Sequence, residues 1–287
     1  MIGQPVVVTI AHGRHEHLRR QLTSLARADP AVAHVVVAMG DDDVRSVVDE
    51  QHAGQGGDVV VVPVGLDPDG ELPLARARNA GAETALAMGG DLLIFLDVDC
   101  LAAPELVGDY RRAADRSGSR PEGPVLWCGE VSYLPPLSDD LPDYPMDTLD
   151  TLASPHPARP VLEPGGIRFD TDTRMFWSLN FAMTASDWRR SGGFHEGFRG
   201  YGGEDTDLAM AVGAQHGVIG WIGGARAFHQ HHPTSSPPWQ HLPAIVRNAR
   251  LFRDRWGRFP MEGWLQEFAE AGAVDYDPVA GVLRLRV

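Results

Sequence analysis

The amino-acid sequence predicts an α/β protein. Its core is one open, mostly parallel sheet with helices on both faces, and a helical C-terminal extension follows. Short apolar runs alternate with helix-period segments through about the first 115 residues, the pattern of strands joined by covering helices. Leu92-Leu93-Ile94-Phe95-Leu96 is apolar at every position, as expected of a strand buried on both faces. After residue 120 the alternation stops, and a long stretch rich in proline, aspartate and glycine begins.

Residues 6–10 form the first expected strand. It closes in the polar turn Ala11-His12-Gly13-Arg14-His15, and Leu18, Leu22 and Leu25 then repeat at helical spacing. Residues 35–37 and 59–62 are the next strands, the latter ended by Pro63. Residues 74–88 read as a helix stopped by Gly89-Gly90. The fourth strand is 92–96, and Pro104 opens another helix with Ala103 as its cap. Residues 125–131 are expected to be a strand. Residues 133–174 show no period, and so long a loop inside a domain is often a lid or a substrate-binding insert. Residues 175–184 read as a strand, Ser186 as a helix cap, 204–215 as a helix, and 218–222 and 225–229 as short strands. Residues 239–272 are mostly helical in pattern, and 274–287 suit a terminal hairpin.

The 287 residues, 43% of them hydrophobic, suffice for one large core. No run reaches membrane-spanning length, and Met1-Ile2-Gly3-Gln4-Pro5 lacks the basic region of a signal peptide. Two cysteines, Cys100 and Cys128, form no close pair, which points to a reducing, cytoplasmic setting without a disulfide framework. A net charge of −14 argues against nucleic acid as a partner. All 25 basic residues are arginine, a side chain suited to bidentate phosphate recognition. The tail arginines Arg247, Arg250, Arg253, Arg255 and Arg258 are expected to be a solvated helix face, with peripheral contact to an anionic membrane as the weaker alternative. The oligomeric state is left open.

Chemistry concentrates in four places. Asp97 and Asp99 lie two apart at the end of a buried strand. On extended backbone such side chains leave on the same side, where two carboxylates repel unless a cation lies between them. A divalent metal holding an anionic ligand is the expected occupant; a polar strand end is the plain alternative. Tyr201-Gly202-Gly203-Glu204-Asp205-Thr206-Asp207 puts three acids in the first turn of a helix. Acids there commonly do no more than complement the helix dipole. The functional alternative makes one of them a general base beside a glycine-rich loop that closes over substrate. A helix N-terminus lowers a carboxylate's pKa, so burial or a neighbouring acid has to offset it. Phe228-His229-Gln230-His231-His232 is either a histidine-rich loop or a source of metal ligands. A histidine joining carboxylates shifts preference from Mg²⁺ toward Mn²⁺. Arg76 and Arg78 are either solvated or, if their helix turn faces the carboxyl edge of the sheet where ligands bind, able to meet a diphosphate.

These segments together resemble glycosyltransferases of the GT-A fold, a Rossmann-like architecture. The likeness is greatest to the inverting family-2-type enzymes and to the C-terminal part of the beta-1,4-galactosyltransferases. It rests on Ala11-His12-Gly13-Arg14-His15-Glu16-His17-Leu18, Ala77-Arg78-Asn79-Ala80-Gly81, Phe95-Leu96-Asp97-Val98-Asp99, and Gly192-Gly193-Phe194 with the run from Gly200 to Asp207. It spans roughly residues 6–232. The resemblance implies metal-dependent (Mn²⁺ or Mg²⁺), inverting transfer of a sugar from a nucleotide-diphosphate sugar, a UDP-sugar, to a hydroxyl of a carbohydrate, glycolipid or small-molecule acceptor. Arg14, with Ala11, His12 and Gly13, would hold the nucleotide, and Arg76 or Arg78 the diphosphate. Asp97 and Val98 would face the ribose or a metal-bound water. Asp99 would ligate the metal with His229, His232 standing in. Asp205 would be the base, and Glu204 would bind acceptor or orient the base. Tyr201, with Gly202 and Gly203, would contact sugar. Two features depart from the galactosyltransferases: Ala11-His12 replaces a proline and an aromatic, and no methionine ligand accompanies His229.

The implied organisation is a transferase domain over 1–233, with a nucleotide-binding half (1–120) and an acceptor half (121–233) carrying the insert 133–174. A helical extension, 234–287, follows. Two other readings compete. A sugar-phosphate nucleotidyltransferase is disfavoured because the first turn has a single glycine, Gly13. A catalytically silent nucleotide-sugar-binding module is disfavoured by the joint presence of Asp99, Asp205 and a candidate histidine.

Overall fold

The computed structural model describes residues 3–52, 56–116, 121–157 and 159–286. The first half comprises β1 (Pro5–Ala11), α1 (His15–Ala28), β2 (Ala33–Met39), α2 (Asp43–His52), β3 (Val59–Val64), α3 (Leu74–Ala87) and β4 (Leu92–Leu96). Next come β5 (Cys100–Ala102), α4 (Leu106–Asp115), β6 (Val125–Cys128), β7 (Val131–Tyr133), α5 (Leu149–Leu152), β8 (Ser154–Pro155) and β9 (Ile167–Asp170). The chain continues through β10 (Asn180–Thr184), α6 (Ala185–Ser191), α7 (Glu204–Gly213), β11 (Val218–Ile222) and β12 (Ala227–His229). It ends with α8 (Leu242–Trp256), α9 (Glu262–Glu270), β13 (Val274–Asp277) and β14 (Val282–Leu285).

Eight strands form the main sheet in the order β3-β2-β1-β4-β10-β6-β11-β9. Strands β3, β2, β1 and β4 are mutually parallel, β10 runs antiparallel between β4 and β6, and β9 closes the far edge antiparallel to β11. The expected mostly parallel α/β sheet is therefore present. Strands β1, β2 and β4 are buried at every position, which is why they read as continuous apolar runs. Gly81 lets α3 lie directly on the sheet: a side chain there would come within 2.5 Å of Val8. Phe95 and Phe181 stack with centroids 4.5 Å apart beneath it.

A second, four-stranded sheet has the order β5-β12-β7-β8. Its strands are two or three residues long, too short to leave a periodic signal. Residues 125–131 accordingly divide at Gly129-Glu130 into β6 and β7, one in each sheet. The helix expected at Pro104 begins at Leu106, because β5 runs on until the Ala103 N–H bonds the Arg226 carbonyl at 3.0 Å. Pro63 lies inside β3 instead of ending it, since β3 is an edge strand with one side free of ladder bonds. Helix α2 escaped the sequence pattern because only Val44, Val47 and Val48 face the core. Strand β10 starts at Asn180, not 175, and β12 starts at Ala227, not 225. Thr184 rather than Ser186 caps α6, its hydroxyl accepting from the Asp187 N–H at 3.1 Å. Among its described residues the insert holds the short pieces α5, β8 and β9 and a 3₁₀ turn at Thr173–Met175. The tail has its own small core, including Ile245, Phe259, Leu265, Phe268 and Leu283. Its terminal hairpin is present, with the expected end Val287 outside the described residues, as are Met1 and Ile2 and the expected internal boundary at 120.

A buried polar chain connects the sheet to the turn after β4. His34 Nε2 lies 2.9 Å from the Thr9 hydroxyl, which lies 3.0 Å from Gln21 Oε1. The Gln21 amide in turn donates to the carbonyls of Asp97, at 2.6 Å, and Cys100, at 3.0 Å. Burial, with a smaller contribution from His52, holds the His34 imidazole at about 3 instead of 6.5. The folded state thus refuses a proton that the unfolded chain accepts. Stability from this group is complete above pH 6.5 and falls as pH drops toward 3. Denaturant titrations at pH 7 and pH 4 are expected to show a loss of about 3 kcal/mol from His34. In His34→Gln that part of the pH dependence should vanish; an unchanged difference would show that other groups cause it.

Candidate active site

The carboxyl ends of β1 and β4, the start of α7 and the end of β12 open onto one cavity of about 610 Å³. Its lining includes His12, Arg14, Asp99 and His229, and also Tyr201 and Asp205. Strand register explains how residues far apart in sequence meet there. Strand β12 pairs antiparallel with β5, placing His229 opposite Cys100 and therefore beside Asp99. The Gln230 N–H then donates to the Asp99 carbonyl at 2.7 Å.

Asp99 is the centre of the first cluster. His229 Nε2 lies 3.5 Å from its Oδ1, while His232 Nε2 and Arg14 Nη1 each lie 3.3 Å from its Oδ2. Burial alone would raise the Asp99 carboxyl, but the hydrogen bond from His232 and the charges of His229 and Arg14 outweigh it and hold the group at about 2. Potential ligand atoms of Asp99, His229 and His232 all lie within 4.8 Å of one another. One carboxylate and two imidazoles are a donor set for a first-row divalent metal. His231 points elsewhere: it is exposed, and its N–H donates to the Tyr144 hydroxyl at 3.2 Å.

Asp97 does not share this cluster. The expectation that both carboxylates face the same way assumed extended backbone, but Asp97 and Val98 lie past the end of β4. The chain turns there, with the Cys100 N–H donating to the Asp97 carbonyl at 2.8 Å. Asp97 Oδ1 instead accepts from Arg78 Nη2 at 3.1 Å. Arg78 Nη1 donates to Glu204 Oε1, also at 3.1 Å, and the guanidinium lies over the Phe194 ring, 5.3 Å from its centroid. Arg78 is thus a buried strut between the β4 turn and α7, its single charge shared between two acids. Arg78, Asp97 and Val98 all line the cavity as well. The adjacent Asn79 joins α3 to Phe194 by a pair of 2.9 Å side-chain-to-backbone bonds. Arg76 lies outside the cavity lining, paired with Asp67 at 3.0 Å. Ala11 and Gly13 also fall outside the lining, whereas His12 and Arg14 are in it.

The turn bearing Arg14 has two left-handed residues in succession, Gly13 (φ 58°) and Arg14 (φ 50°). Asp41 fixes it, accepting from the Gly13 N–H at 2.6 Å and meeting His15 Nε2 at 2.9 Å. The sequence reading passed over Asp41; its only signal was an aspartate triplet following the second strand.

At the start of α7 the two acids are treated differently. Glu204 is buried, and burial together with the Asp205 charge raises its carboxyl to about 7 despite Arg78. Asp205 is half-buried at the cavity wall and is also raised by burial, against the hydrogen bond from the Thr206 N–H at 2.6 Å. Desolvation therefore overcomes the helix N-terminus, and Asp205 is a stronger base than an ordinary aspartate. The third acid, Asp207, faces the tail: its Oδ1 accepts from Arg255 Nε at 2.6 Å and Trp256 Nε1 at 2.7 Å. Other tail arginines are also engaged. Arg247 bonds the Arg199 carbonyl, Arg253 lies over the Phe259 ring, and Arg258 meets the Met210 sulfur. Arg250, Arg255 and Arg258 are exposed, as expected of a solvated face, whereas Arg247 and Arg253 are half-buried. Among the described residues, no helix is long and apolar enough to cross a membrane.

The sheet is that of the GT-A fold, and the chain is similar in sequence to glycosyltransferases. Residues 165–232 match the family model described as the N-terminal domain of galactosyltransferase. The chain is similar to the validoxylamine A glucosyltransferases of Streptomyces hygroscopicus subsp. jinggangensis (strain 5008) and subsp. limoneus. Each is 31% identical over 228 residues, covering 74% of this chain and 51% and 48% of the relatives. The chain thus spans about half the length of these curated relatives. Two solved structures share the fold. One is GalNAc-T7 with UDP, GalNAc and Mn²⁺ (TM-score 0.54, 16% identity, 95% of this chain and 57% of that one). The other is S. aureus TarS (TM-score 0.60, 14% identity, 93% and 42%).

Proposed function

We propose that this chain is a metal-dependent, inverting glycosyltransferase that moves a sugar from a UDP-sugar to the hydroxyl of a small carbohydrate-like acceptor. The observation that carries the proposal is the meeting of Asp99, His229 and His232 with Asp205 around one cavity. The donor set suits Mn²⁺ over Mg²⁺; Asp99, His229 and His232 would hold such a cation, which would supply positive charge against the departing diphosphate. Arg14 and His12 hold the nucleotide end. Asp205 takes the acceptor's hydroxyl proton as that oxygen bonds to the anomeric carbon and the bond to the diphosphate oxygen breaks. One displacement inverts the configuration, through a transition state resembling an oxocarbenium ion. Glu204, set by Arg78, keeps the start of α7 aligned with the β4 turn.

The likeness to validoxylamine A glucosyltransferases supports glucose and a cyclic amino-polyol acceptor as first choices. The buried free thiols Cys100 and Cys128 suit a reducing cytoplasmic setting. Residues 1–233 form the transferase domain in this reading, and 234–287 an extension that contributes Met261 and Trp264 to the cavity.

A thermal-shift panel of nucleotide sugars tests the proposal. Ligand at about 100 times its dissociation constant adds about 2.7 kcal/mol, so the true donor should raise Tm clearly, with Mn²⁺ and not with chelator. If no nucleotide sugar does so, the proposal fails. Pyrophosphate release from a nucleoside triphosphate would favour the nucleotidyltransferase reading instead.

A further inference from the structure

We infer that the C-terminal extension builds the acceptor subsite: Trp264 of α9, with Tyr201 backed by His241, forms an aromatic platform for one face of a six-membered cyclic polyol. This rests on the glycosyltransferase reading and deepens it. Tyr201 is stacked on His241, with centroids 4.7 Å apart and planes 18° apart, and lies 6.2 Å and 29° from Trp264. Tyr201 and Trp264 both line the cavity, and His241 and Trp264 lie beyond the matched segment 165–232.

The ligand class follows from the chemistry of this wall. A pyranose or cyclitol presents C–H groups on a ring face, which an aromatic surface covers while the hydroxyls stay free for polar groups. Trp264 and Met261 themselves carry no charge. Asp99, His229 and Arg14, by contrast, suit a metal diphosphate. The platform is also tied to the base. Tyr201 precedes Asp205 by four residues, across Gly202 and Gly203 in left-handed conformation (φ 99° and 92°).

Helix α8 fixes that turn. Asn248 is fully buried, and its amide donates to the carbonyls of Arg199 and Gly202, each at 2.9 Å, and Tyr201 at 3.3 Å. Behind the turn, Arg255 and Trp256 hold Asp207. A ring resting on Tyr201 and Trp264 therefore sits at a fixed position relative to Asp205, as proton transfer to that base requires.

The test measures nucleotide release by the full chain with Mn²⁺ and the nucleotide sugar giving the largest thermal shift. Reactions contain water alone, a cyclic polyol (validoxylamine A, methyl β-glucoside or myo-inositol) or acyclic sorbitol. At least one cyclic polyol, and not sorbitol, should accelerate release. Trp264→Leu, which keeps apolar volume, should raise the KM for that polyol about tenfold, and Trp264→Phe by less than about threefold. Donor affinity by calorimetry should stay within about twofold in both variants. If Trp264→Leu does not fold, His241→Leu probes the same platform from the other side of Tyr201. The inference is overturned by an equal response to sorbitol, by no response to any cyclic polyol over background hydrolysis, or by an unchanged KM in the leucine variant. A tenfold loss of donor affinity would assign the ring to the nucleobase and overturn it as well. Failure of the wild type to release nucleotide from any donor is instead a failure of the transferase reading, seen before any variant is compared.

Discussion

Asp205→Asn is expected to lower turnover by about 10² or more while leaving donor affinity within about twofold. The amide matches the carboxylate in shape and keeps an oxygen for the Thr206 N–H, now 2.6 Å from Oδ1. What it loses is the ability to accept the acceptor's proton. Burial raises the Asp205 carboxyl, so the wild-type group binds that proton more strongly than a solvated aspartate does. A hundredfold loss corresponds to about 2.7 kcal/mol of transition-state stabilisation. The variant also removes the charge beside Glu204, whose carboxyl now stands at about 7 in part because of Asp205. Glu204 should therefore ionise more easily, and Tm near neutral pH should not fall. Turnover close to wild type at saturating donor would remove Asp205 from the role of base.

Asp99→Ala should abolish the Mn²⁺ dependence of donor binding. Calorimetry with and without the metal is expected to show donor affinity in its presence falling by on the order of 10² or more. Asp99 is the only carboxylate in the cluster with His229 and His232. Without it, two imidazoles and the Arg14 guanidinium face one another with no negative charge between them. Retention of metal-dependent donor binding in this variant would place the cation elsewhere.

The strands that read correctly from sequence are those buried on both faces. Strand β4 carries no polar interruption before its turn and β1 carries only Thr9, and α3 and α7 are bounded by glycines or acids in the sequence itself. The second sheet was only partly legible, through residues 225–229, because β5, β7 and β12 are three residues each and β12 pairs with strands about a hundred positions upstream. That same pairing singles out His229 and His232 over His231, which spacing alone left undecided.

Charge pairing was not legible in the sequence: Arg78 and Asp97, both in the cavity lining, also bond to one another, because a side chain's partner is a property of tertiary position. Gln21, Asn248, Met261 and Trp264 act singly, each from an ordinary helix or a helix-flanking turn, and no motif marks them. Asp99, Asp205 and His229 stood out because residue type and spacing together are uncommon.

The antiparallel register that sets His229 opposite Cys100 has a consequence for assembly. A growing polypeptide that has completed β4 already holds the aspartate but lacks both imidazoles, which arrive about 130 positions later and seat only once the small sheet closes. In the proposed reading, cation retention at Asp99, His229 and His232 would report a finished fold, and chains ending before β12 should lack that site.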